Sequence, residues 1–349
     1  MKLNTLEKKK VKNKKVFLRL DLDVPIENFQ IADASRLKAA SKTIDFLIKN
    51  NNKVIAAGHR GRPEVNSKFR IQNSELSLEP VALWFARLFN SPIERASIGG
   101  FDGWKITENF HLLENLRFLK GEKENSKKLS KKLAGLADFY VNDAFAVSHR
   151  ENASLVGITE FLPSCAGLRL EKETEILSNL LKDPKRPLVA VIGGAKIETK
   201  LPLVEKMHDL ADFVLVGGEI ADQTKILLKM QHEKAEKRSV LIVADLTESG
   251  KDISQKSAEN FVQIIKKAKT IIWNGPMGLV EEGFDSGTKI VAEGIGASKA
   301  YSVVGGGDTG FFLKAMEITS KFSFISVGGG AMLEFLSGNK LPAIEVLKK

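Results

Sequence analysis

The chain has 349 residues, room for two domains with a sizeable core in each, and its 43% hydrophobic and 28% charged residues exclude disordered and fibrous classes. Its 53 Lys and Arg against 43 Asp and Glu leave a formal net charge of +10, which points to an anionic partner without choosing among nucleic acid, membrane and a small phosphorylated metabolite. The single cysteine, Cys165, excludes an intramolecular disulfide and reads as a small buried hydrophobe, while the lysine-rich residues 1–15 carry no apolar signal segment. The longest uncharged stretch, 322–333, is too short to span a membrane, so a soluble cytoplasmic protein is expected.

Taken in chain order, continuous apolar runs predict strands at 16–18, 54–57, 139–141, 188–192, 213–216, 240–243, 270–273, 301–304 and 322–327. Helical patterns fall between them, as at 35–50, 79–89 and 257–267. Short strands without alternation, interleaved with helices, mean α/β domains with parallel sheets covered on both faces. Such sheets bind ligands beyond the carboxyl ends of their strands, so the residues just after each run are the candidates. A charged helical stretch beginning at Leu170 runs into Pro184 and Pro187, where a new strand starts; the chain is expected to divide near 166–185.

In the second half the strand ends carry glycine clusters at 193–194, 217–218, 275, 305–307 and 328–330. Glycine lets backbone approach an anion, and a following helix adds its positive N-terminal end. One such cluster is as readily a tight turn, but five at successive strand ends point to a polyphosphate. Asp308, directly after the triple glycine, is placed to hold Mg²⁺ on a phosphate chain. Lys196 and Lys200 fall on one helix face directly after Gly193-Gly194, which favours phosphate contact over a solvated surface. Gly305, Gly307 and Gly310 also satisfy the dinucleotide pattern, yet no carboxylate ends the next strand before Glu334, so that reading is the weaker one.

The first half is arginine-rich, with nine of the chain's twelve arginines before residue 166. Arg36, Arg62, Arg117 and Arg150 each lie just past a strand or at a helix start, where a permanently charged fork suits carboxylate or phosphate.

The motifs that carry these residues are Arg19-Leu20-Asp21-Leu22-Asp23-Val24-Pro25, His59-Arg60-Gly61-Arg62-Pro63, Glu114-Asn115-Leu116-Arg117-Phe118 and Tyr140-Val141-Asn142-Asp143-Ala144-Phe145. They are followed by Gly193-Gly194-Ala195-Lys196 with Lys200, Trp273-Asn274-Gly275-Pro276-Met277-Gly278 and Gly305-Gly306-Gly307-Asp308-Thr309. In this order, over nearly the whole chain, they resemble the phosphoglycerate kinase family. The resemblance implies two doubly wound, Rossmann-like parallel-sheet domains joined by a helix. Residues 1–166 would bind 3-phosphoglycerate, with the tail 338–349 packing back onto them; 167–183 would form the connecting helix and hinge; 184–337 would bind the nucleotide.

Carried over by position, the resemblance makes Asp21, Asp23, Arg36, His59, Gly61, Arg62, Arg117 and Arg150 the acid-substrate site. It assigns Gly194, Lys196, Lys200, Asn274, Pro276, Glu281, Gly306, Gly307, Asp308 and Thr309 to the nucleotide, with Glu281 on the ribose and Asp308 on nucleotide-bound Mg²⁺. Arg36, Lys196, Lys200, Gly306 and Gly329 would act on the transferring group. The implied reaction is reversible phosphoryl transfer between 1,3-bisphosphoglycerate and ADP, giving 3-phosphoglycerate and ATP. A carboxylate acceptor is already ionised at neutral pH, which matches motifs that offer Arg, Lys and Gly but no Ser-His-Asp set. The implied partners are small molecules, with no nucleic acid and no membrane, and the protein is expected to be a monomer.

Asp23 stands where the family usually has Asn, Asn152 where it has His, and Val327 where it has Thr. The chain is also shorter than typical relatives between Gly218 and Trp273, around Asp252-Ile253-Ser254-Gln255, where the family builds its adenine pocket. Two rivals follow from these features: a catalytically weakened or repurposed nucleotide-binding relative with altered base preference, and a nucleic-acid module suggested by net charge alone. The second requires aromatics among the basic residues, and residues 1–15 have none.

Overall fold

A computed structural model describes residues 2–63, 75–195, 197–230 and 239–348. The chain divides into two compact units, Met1–Glu175 with Leu341–Lys349, and Ile176–Lys340. The division falls inside the helix Leu168–Lys182.

The first unit contains α1 (Leu6–Lys9), β1 (Lys15–Arg19), the small hairpin β2 (Ile26–Glu27) and β3 (Gln30–Ile31), α2 (Ser35–Lys49), β4 (Lys53–Ala57) and α3 (Glu79–Phe89). There follow β5 (Glu94–Ile98), β6 (Phe101–Thr107), β7 (Phe110–Leu113), α4 (Lys127–Ala134), β8 (Phe139–Asn142), β9 (Ser164–Ala166) and the start of α5 (Leu168–Lys182). Among the described residues its sheet runs β5-β6-β7-β4-β1-β8-β9. The strands from β7 to β9 pair in parallel; the chain steps from β1 to β4 and on to β7 on one side, then crosses back to β8 and β9 on the other. That reversal opens a crevice beyond the carboxyl ends of β1 and β8.

The second unit contains β10 (Leu188–Ile192), α6 (Ile197–Leu210), β11 (Phe213–Val216), α7 (Ile220–Met230), β12 (Val240–Val243), α8 (Gln255–Ile265) and β13 (Thr270–Asn274). It continues through α9 (Ser286–Ala297), β14 (Tyr301–Gly305), α10 (Gly307–Ala315), β15 (Phe324–Ile325) and α11 (Gly329–Leu336). Its strand order, β12-β11-β10-β13-β14-β15, is parallel throughout, with the reversal between β10 and β13. Every residue of β10 and β13 is buried, which is why these runs read as continuous, mostly apolar stretches rather than as alternation. A last turn, α12 (Pro342–Glu345), belongs to the first unit: the Ala343 N–H donates to the Ser148 carbonyl at 3.1 Å, and Asn4 donates to the Leu347 carbonyl at 3.0 Å.

Each unit has its own core. In the first, α2 buries Leu37, Ala40, Ile44 and Leu47 at helical spacing against Val16, Leu18, Val54 and Ala56. In the second, Phe261, Ile265, Val291 and Ile295 cover Val189, Val191, Ile271 and Trp273. Each fully buried side chain of this kind contributes roughly 1.5–3 kcal/mol. Cys165 is buried in the first core, and burial pushes its thiol upward, so it behaves as a hydrophobe.

The sequence reading finds the fold class and misses the antiparallel edge. β5 and β6 pair antiparallel with each other, and β6 with β7. β5 is mostly exposed and carries Glu94, Arg95 and Ser97, so no apolar run marks it. The run at 322–327 forms only the two-residue strand β15, because the chain turns toward its triple glycine directly afterwards.

Asp143, just after β8, fixes the start of α5. Its Oδ1 accepts from the backbone N–H groups of Arg169 at 2.8 Å and Leu170 at 3.1 Å. A side chain at Gly167 would come within 2.4 Å of the same oxygen, so the close approach needs glycine. Burial pushes the Asp143 carboxyl up to about 7 despite the Thr43 hydroxyl and these amides. Between its ordinary value of 3.8 and about 7, the folded chain therefore holds a proton that the unfolded chain has lost, and stability falls as pH rises. Asp143→Asn keeps a carbonyl acceptor and removes the titration. Thermal unfolding from about pH 5 to pH 8 should show the wild type losing about 2–3 kcal/mol relative to this variant; parallel curves would count against a buried, titrating cap.

Candidate functional site

Two clusters stand at the carboxyl ends of the two sheets. In the first unit, the turn after β1 delivers Asp21 and Asp23, the turn after β4 delivers His59 and Gly61, the 3-10 turn after β7 delivers Arg117, and the loop after β8 delivers Arg150. Arg36, in the first turn of α2, faces Asp21 with both arms: Nη1 lies 3.3 Å from Oδ1 and Nε 3.3 Å from Oδ2. Nη1 also donates to the Asp23 carbonyl at 2.7 Å. Burial holds the Asp21 carboxyl above the usual carboxylate range, and Arg36 opposes that shift.

The carboxylate of Asp23 turns away from this pair and accepts the Gly61 N–H at 2.9 Å. Its charge is thus spent on backbone, which bears on the Asp-for-Asn departure. Gly61, at φ +64°, passes its carbonyl to Arg117 Nη1. Asn115 secures this turn from below: Oδ1 accepts from Arg60 N at 3.3 Å and Arg117 N at 3.1 Å, while Nδ2 donates to the carbonyls of Arg60 at 2.7 Å and Leu76 at 2.9 Å. Glu114 holds the amides of Leu78 and Asn115, each at 2.8 Å. The motif 114–118 is therefore scaffolding around one candidate side chain, the half-buried Arg117.

Arg62 is exposed and Arg150 half-buried, and each is close enough to be felt electrostatically: burial lowers the Arg150 guanidinium's pKa, and the Arg62 charge adds to that. His59 is buried, with its imidazole pushed down to about 2 by burial and by Arg19, Arg150 and Arg36. Asp21, Asp23, Arg36, His59, Gly61, Arg62, Arg117 and Arg150 thus lie in one basin of the first unit, where cationic side chains outnumber the two engaged carboxylates.

In the second unit, the loops after β10 and β13 interlock. The Gly193 N–H donates to the Asn274 carbonyl at 3.0 Å and the Gly194 N–H to the Pro276 carbonyl at 2.8 Å. Gly275, at φ +93°, packs so closely that a Cβ there would sit 2.1 Å from the Gly193 carbonyl oxygen. Lys200, in the first turn of α6, is buried and extends to this place, with Nζ on Asn274 Oδ1 and 3.4 Å from the Asn274 carbonyl. Desolvation pushes its ammonium down to about 8, with Asp308 pulling the other way. Asn274 Nδ2 is buried without a partner among the described residues.

The loop after β14 completes the cluster. Gly306, at φ +108°, precedes α10, and the Thr309 hydroxyl accepts the Gly275 N–H at 3.1 Å. Gly307 and Asp308 are exposed in the first turn of α10. A Cβ on Gly329, at the first turn of α11, would lie 3.7 Å from the Gly307 nitrogen, so two helix N-termini meet here and sum their positive ends. The structure brings together Gly194, Lys200, Asn274, Pro276, Gly306, Gly307, Thr309 and Gly329, with Asp308 at the rim. Lys196 lies outside the described residues. Glu281 is exposed on a 3-10 turn, and no hydrogen bond or ion pair among the described residues joins it to the cluster.

Sequence reasoning passes over Glu122 and Ser154. Glu122 sits in a charged run, Gly121-Glu122-Lys123-Glu124, that reads as surface, yet it is 1% exposed and bonded to Ser154 and Asn152. No periodicity marks it. Asn152, the other departure in this unit, is engaged there and not in the basin.

The chain matches the family described as phosphoglycerate kinase over residues 6–237 and 223–339. It is 36% identical over 394 residues to the phosphoglycerate kinase of Francisella philomiragia, covering 100% of this chain and 99% of that one. It is 37% identical over 397 residues to that of Finegoldia magna, covering 99% of each. Among solved structures it is similar to phosphoglycerate kinase from Coxiella burnetii, with a TM-score of 0.79, 33% identity and coverage of 99% of this chain and 98% of that one. The aligned lengths exceed the 349 residues of this chain, so these relatives carry residues that it lacks.

The interlocked loops predict unequal tolerance among the glycines. Gly275→Ala forces a Cβ onto the Gly193 carbonyl at a positive φ, and should lower stability by about 2–4 kcal/mol. At Gly307 nothing lies within 4 Å of an added Cβ, so Gly307→Ala should stay within about 1 kcal/mol of the wild type. Denaturant unfolding of the two variants checks this, and equal losses would contradict the packing described.

Proposed function

The chain belongs to the phosphoglycerate kinase family, and from that premise we propose which of its residues carry out the family's reaction. The protein is a kinase that transfers a phosphoryl group reversibly between 1,3-bisphosphoglycerate and ADP, giving 3-phosphoglycerate and ATP. Our reading assigns the acid substrate to the basin of the first unit and the nucleotide to the glycine-lined cluster of the second. The observation that carries it is the nature of the two clusters: among the described residues Asp21 and Asp23 are already engaged by Arg36 and the Gly61 amide, Asp308 stands exposed at the rim, and the remaining polar groups are mainly donors. A carboxylate acceptor needs no deprotonation, so catalysis reduces to positioning and to stabilising charge on the transferring group.

In this reading Arg36 is pre-oriented through Nε and Nη1 by Asp21 and the Asp23 carbonyl, and offers its remaining Nη2 to the substrate carboxyl. Arg62, Arg117 and Arg150, with Gly61, hold the far anionic end. Lys196 and Lys200, with the amides of Gly306 and Gly329, stabilise the phosphoryl group and the nucleotide phosphates, and Gly194, Gly307 and Thr309 line the phosphate chain. Asn274 and Pro276 shape the β13 side of the nucleotide site, and Glu281 takes the ribose.

Mg²⁺ fits this donor set in one way only. Among the described residues no three His, Cys, Asp or Glu side chains converge, so the protein alone does not form a cation cage. Asp308, exposed in the first turn of α10, would supply one oxygen and the nucleotide the others, where the ion would neutralise phosphate charge. No helix among the described residues is long and apolar enough to cross a membrane. We further propose a cytoplasmic monomer that engages small molecules and neither nucleic acid nor membrane. No observation in either cluster favours a repurposed relative.

A coupled assay with 3-phosphoglycerate and ATP, repeated with GTP, tests this reading; binding of nucleotide without turnover would reject it. Arg36→Ala should lower kcat by about 100–1000-fold, the usual cost of losing one transition-state donor, while calorimetry finds nucleotide affinity nearly unchanged. Near-normal turnover would remove Arg36 from the reaction. Lys200 gives a pH signature with a defined sign. Its charged form favours phosphate and is lost as pH rises through about 8, so nucleotide affinity should be level below that value and decline above it. Lys200→Arg should abolish the inflection in calorimetric titrations.

A further inference from the structure

Behind the basin, a line of buried polar side chains leads to His59. Glu122 accepts from Ser154 Oγ at 2.5 Å through Oε1 and from Ser154 N at 3.1 Å through Oε2. Ser154 Oγ in turn accepts from Arg19 Nε at 3.0 Å, and Arg19 Nη1 donates to the Leu20 carbonyl. Arg19 Nη2 lies 2.7 Å from His59 Nδ1. Arg19, Ser154, Glu122 and His59 are all within 1% of full burial.

The chemistry of the last contact is unambiguous. A guanidinium has only donors, so Nδ1 must accept, and a neutral imidazole then carries its proton on Nε2. That Nε2 is buried and has no partner among the described residues. An unpaired buried donor is costly in the free protein and is satisfied when an oxygen acceptor enters. We propose that Arg19, itself held by Ser154 and Glu122, is a positioning residue that locks His59 into its Nε2–H tautomer as a fixed hydrogen-bond donor to an oxygen of the acid substrate. The proposal rests on the reading that the basin takes that substrate.

Two consequences separate this role from plain packing. His59 stays neutral, because the charges facing it are Arg19, Arg150 and Arg36. Asp21 is engaged with Arg36, Asp23 with Gly61 and Glu122 with Ser154, so among the described residues no carboxylate faces His59 to stabilise an imidazolium. The donor is therefore present at every physiological pH. It also makes the basin selective, since an analogue lacking an oxygen at this place leaves the donor unsatisfied.

The test is a long-range ¹H–¹⁵N spectrum of the full-length protein labelled at histidine, with His59 assigned from the His59→Gln difference. We expect a single Nε2–H tautomer with no titration between about pH 5 and pH 9. Arg19→Met should give mixed tautomers and a midpoint rising toward about 6.5, with a KM for 3-phosphoglycerate that becomes pH-dependent and a kcat that changes far less. Arg19→Lys, which keeps one donor, should restore the wild-type tautomer. A wild-type His59 that holds its proton on Nδ1, or that titrates with Arg19 in place, overturns the proposal; so does an Arg19→Met spectrum identical to the wild type. The wild-type spectrum alone decides if Arg19→Met does not fold. If the lock is found but 3-phosphoglycerate leaves the His59 signals unmoved, the substrate reading fails and the lock stands as structure.

Discussion

The glycine-lined cluster of the second unit depends on one contact between backbones, the approach of the Gly275 turn to Gly193 at the reversal point of its sheet. A parallel sheet leaves its strand-end amides unpaired, and a ligand can use them only where two neighbouring loops part company. Here the loops part above the strands but interlock at their bases, with Gly193 bonded to the Asn274 carbonyl and Gly194 to the Pro276 carbonyl. No side chain fits between them. The interlock positions the Asn274 side chain, Asn274 receives Lys200, and Thr309 ties the α10 turn to the same place through Gly275. Each donor is thus located by a neighbour's backbone, which is the least mobile scaffold available.

The first unit solves a different problem. Its donors are side chains, and burying charged side chains is costly unless each is matched. The solution is layered. Arg36 is matched by Asp21, Asp23 by an amide, and Arg19 by Ser154 and a carbonyl, which leaves His59 Nε2 as a buried donor without a partner among the described residues. The scaffold beneath, Asn115 with four backbone partners, is as polar as the site it supports. This is why so many of the residues in the recurring motifs never touch the basin.

How much of this is legible in the sequence follows from periodicity and composition. Strands buried on both faces announce themselves, as at 188–192 and 270–274, because continuous apolar runs have few other uses. Glycines at strand ends are equally visible, since close backbone approach tolerates nothing else. The exposed edge strand β5 leaves no such mark, and Glu122 is hidden by its charged neighbours. The Asp143 cap is visible as a motif residue but not as a cap, because its partners at 169–170 are distant in sequence. What sequence conveys is residue type and local spacing; pairing across long separations belongs to the fold.

Net charge illustrates the same limit. Residues 1–165 hold 28 Lys and Arg against 19 Asp and Glu, and most of that excess comes from the seven lysines of residues 1–15. Those lysines do not line the basin. The cations that matter, Arg36 and Lys200, are outnumbered by solvated ones and distinguished from them by burial and by a fixed partner. A solvated lysine attracts any anion weakly and equally, because water screens it and its side chain is free. A cation already held in place, in a site with little water, favours the anion whose oxygens match its geometry. On the proposed assignment, selectivity for a small acyl phosphate or nucleotide over a polyanion would reside in a few matched charges rather than in the total of +10.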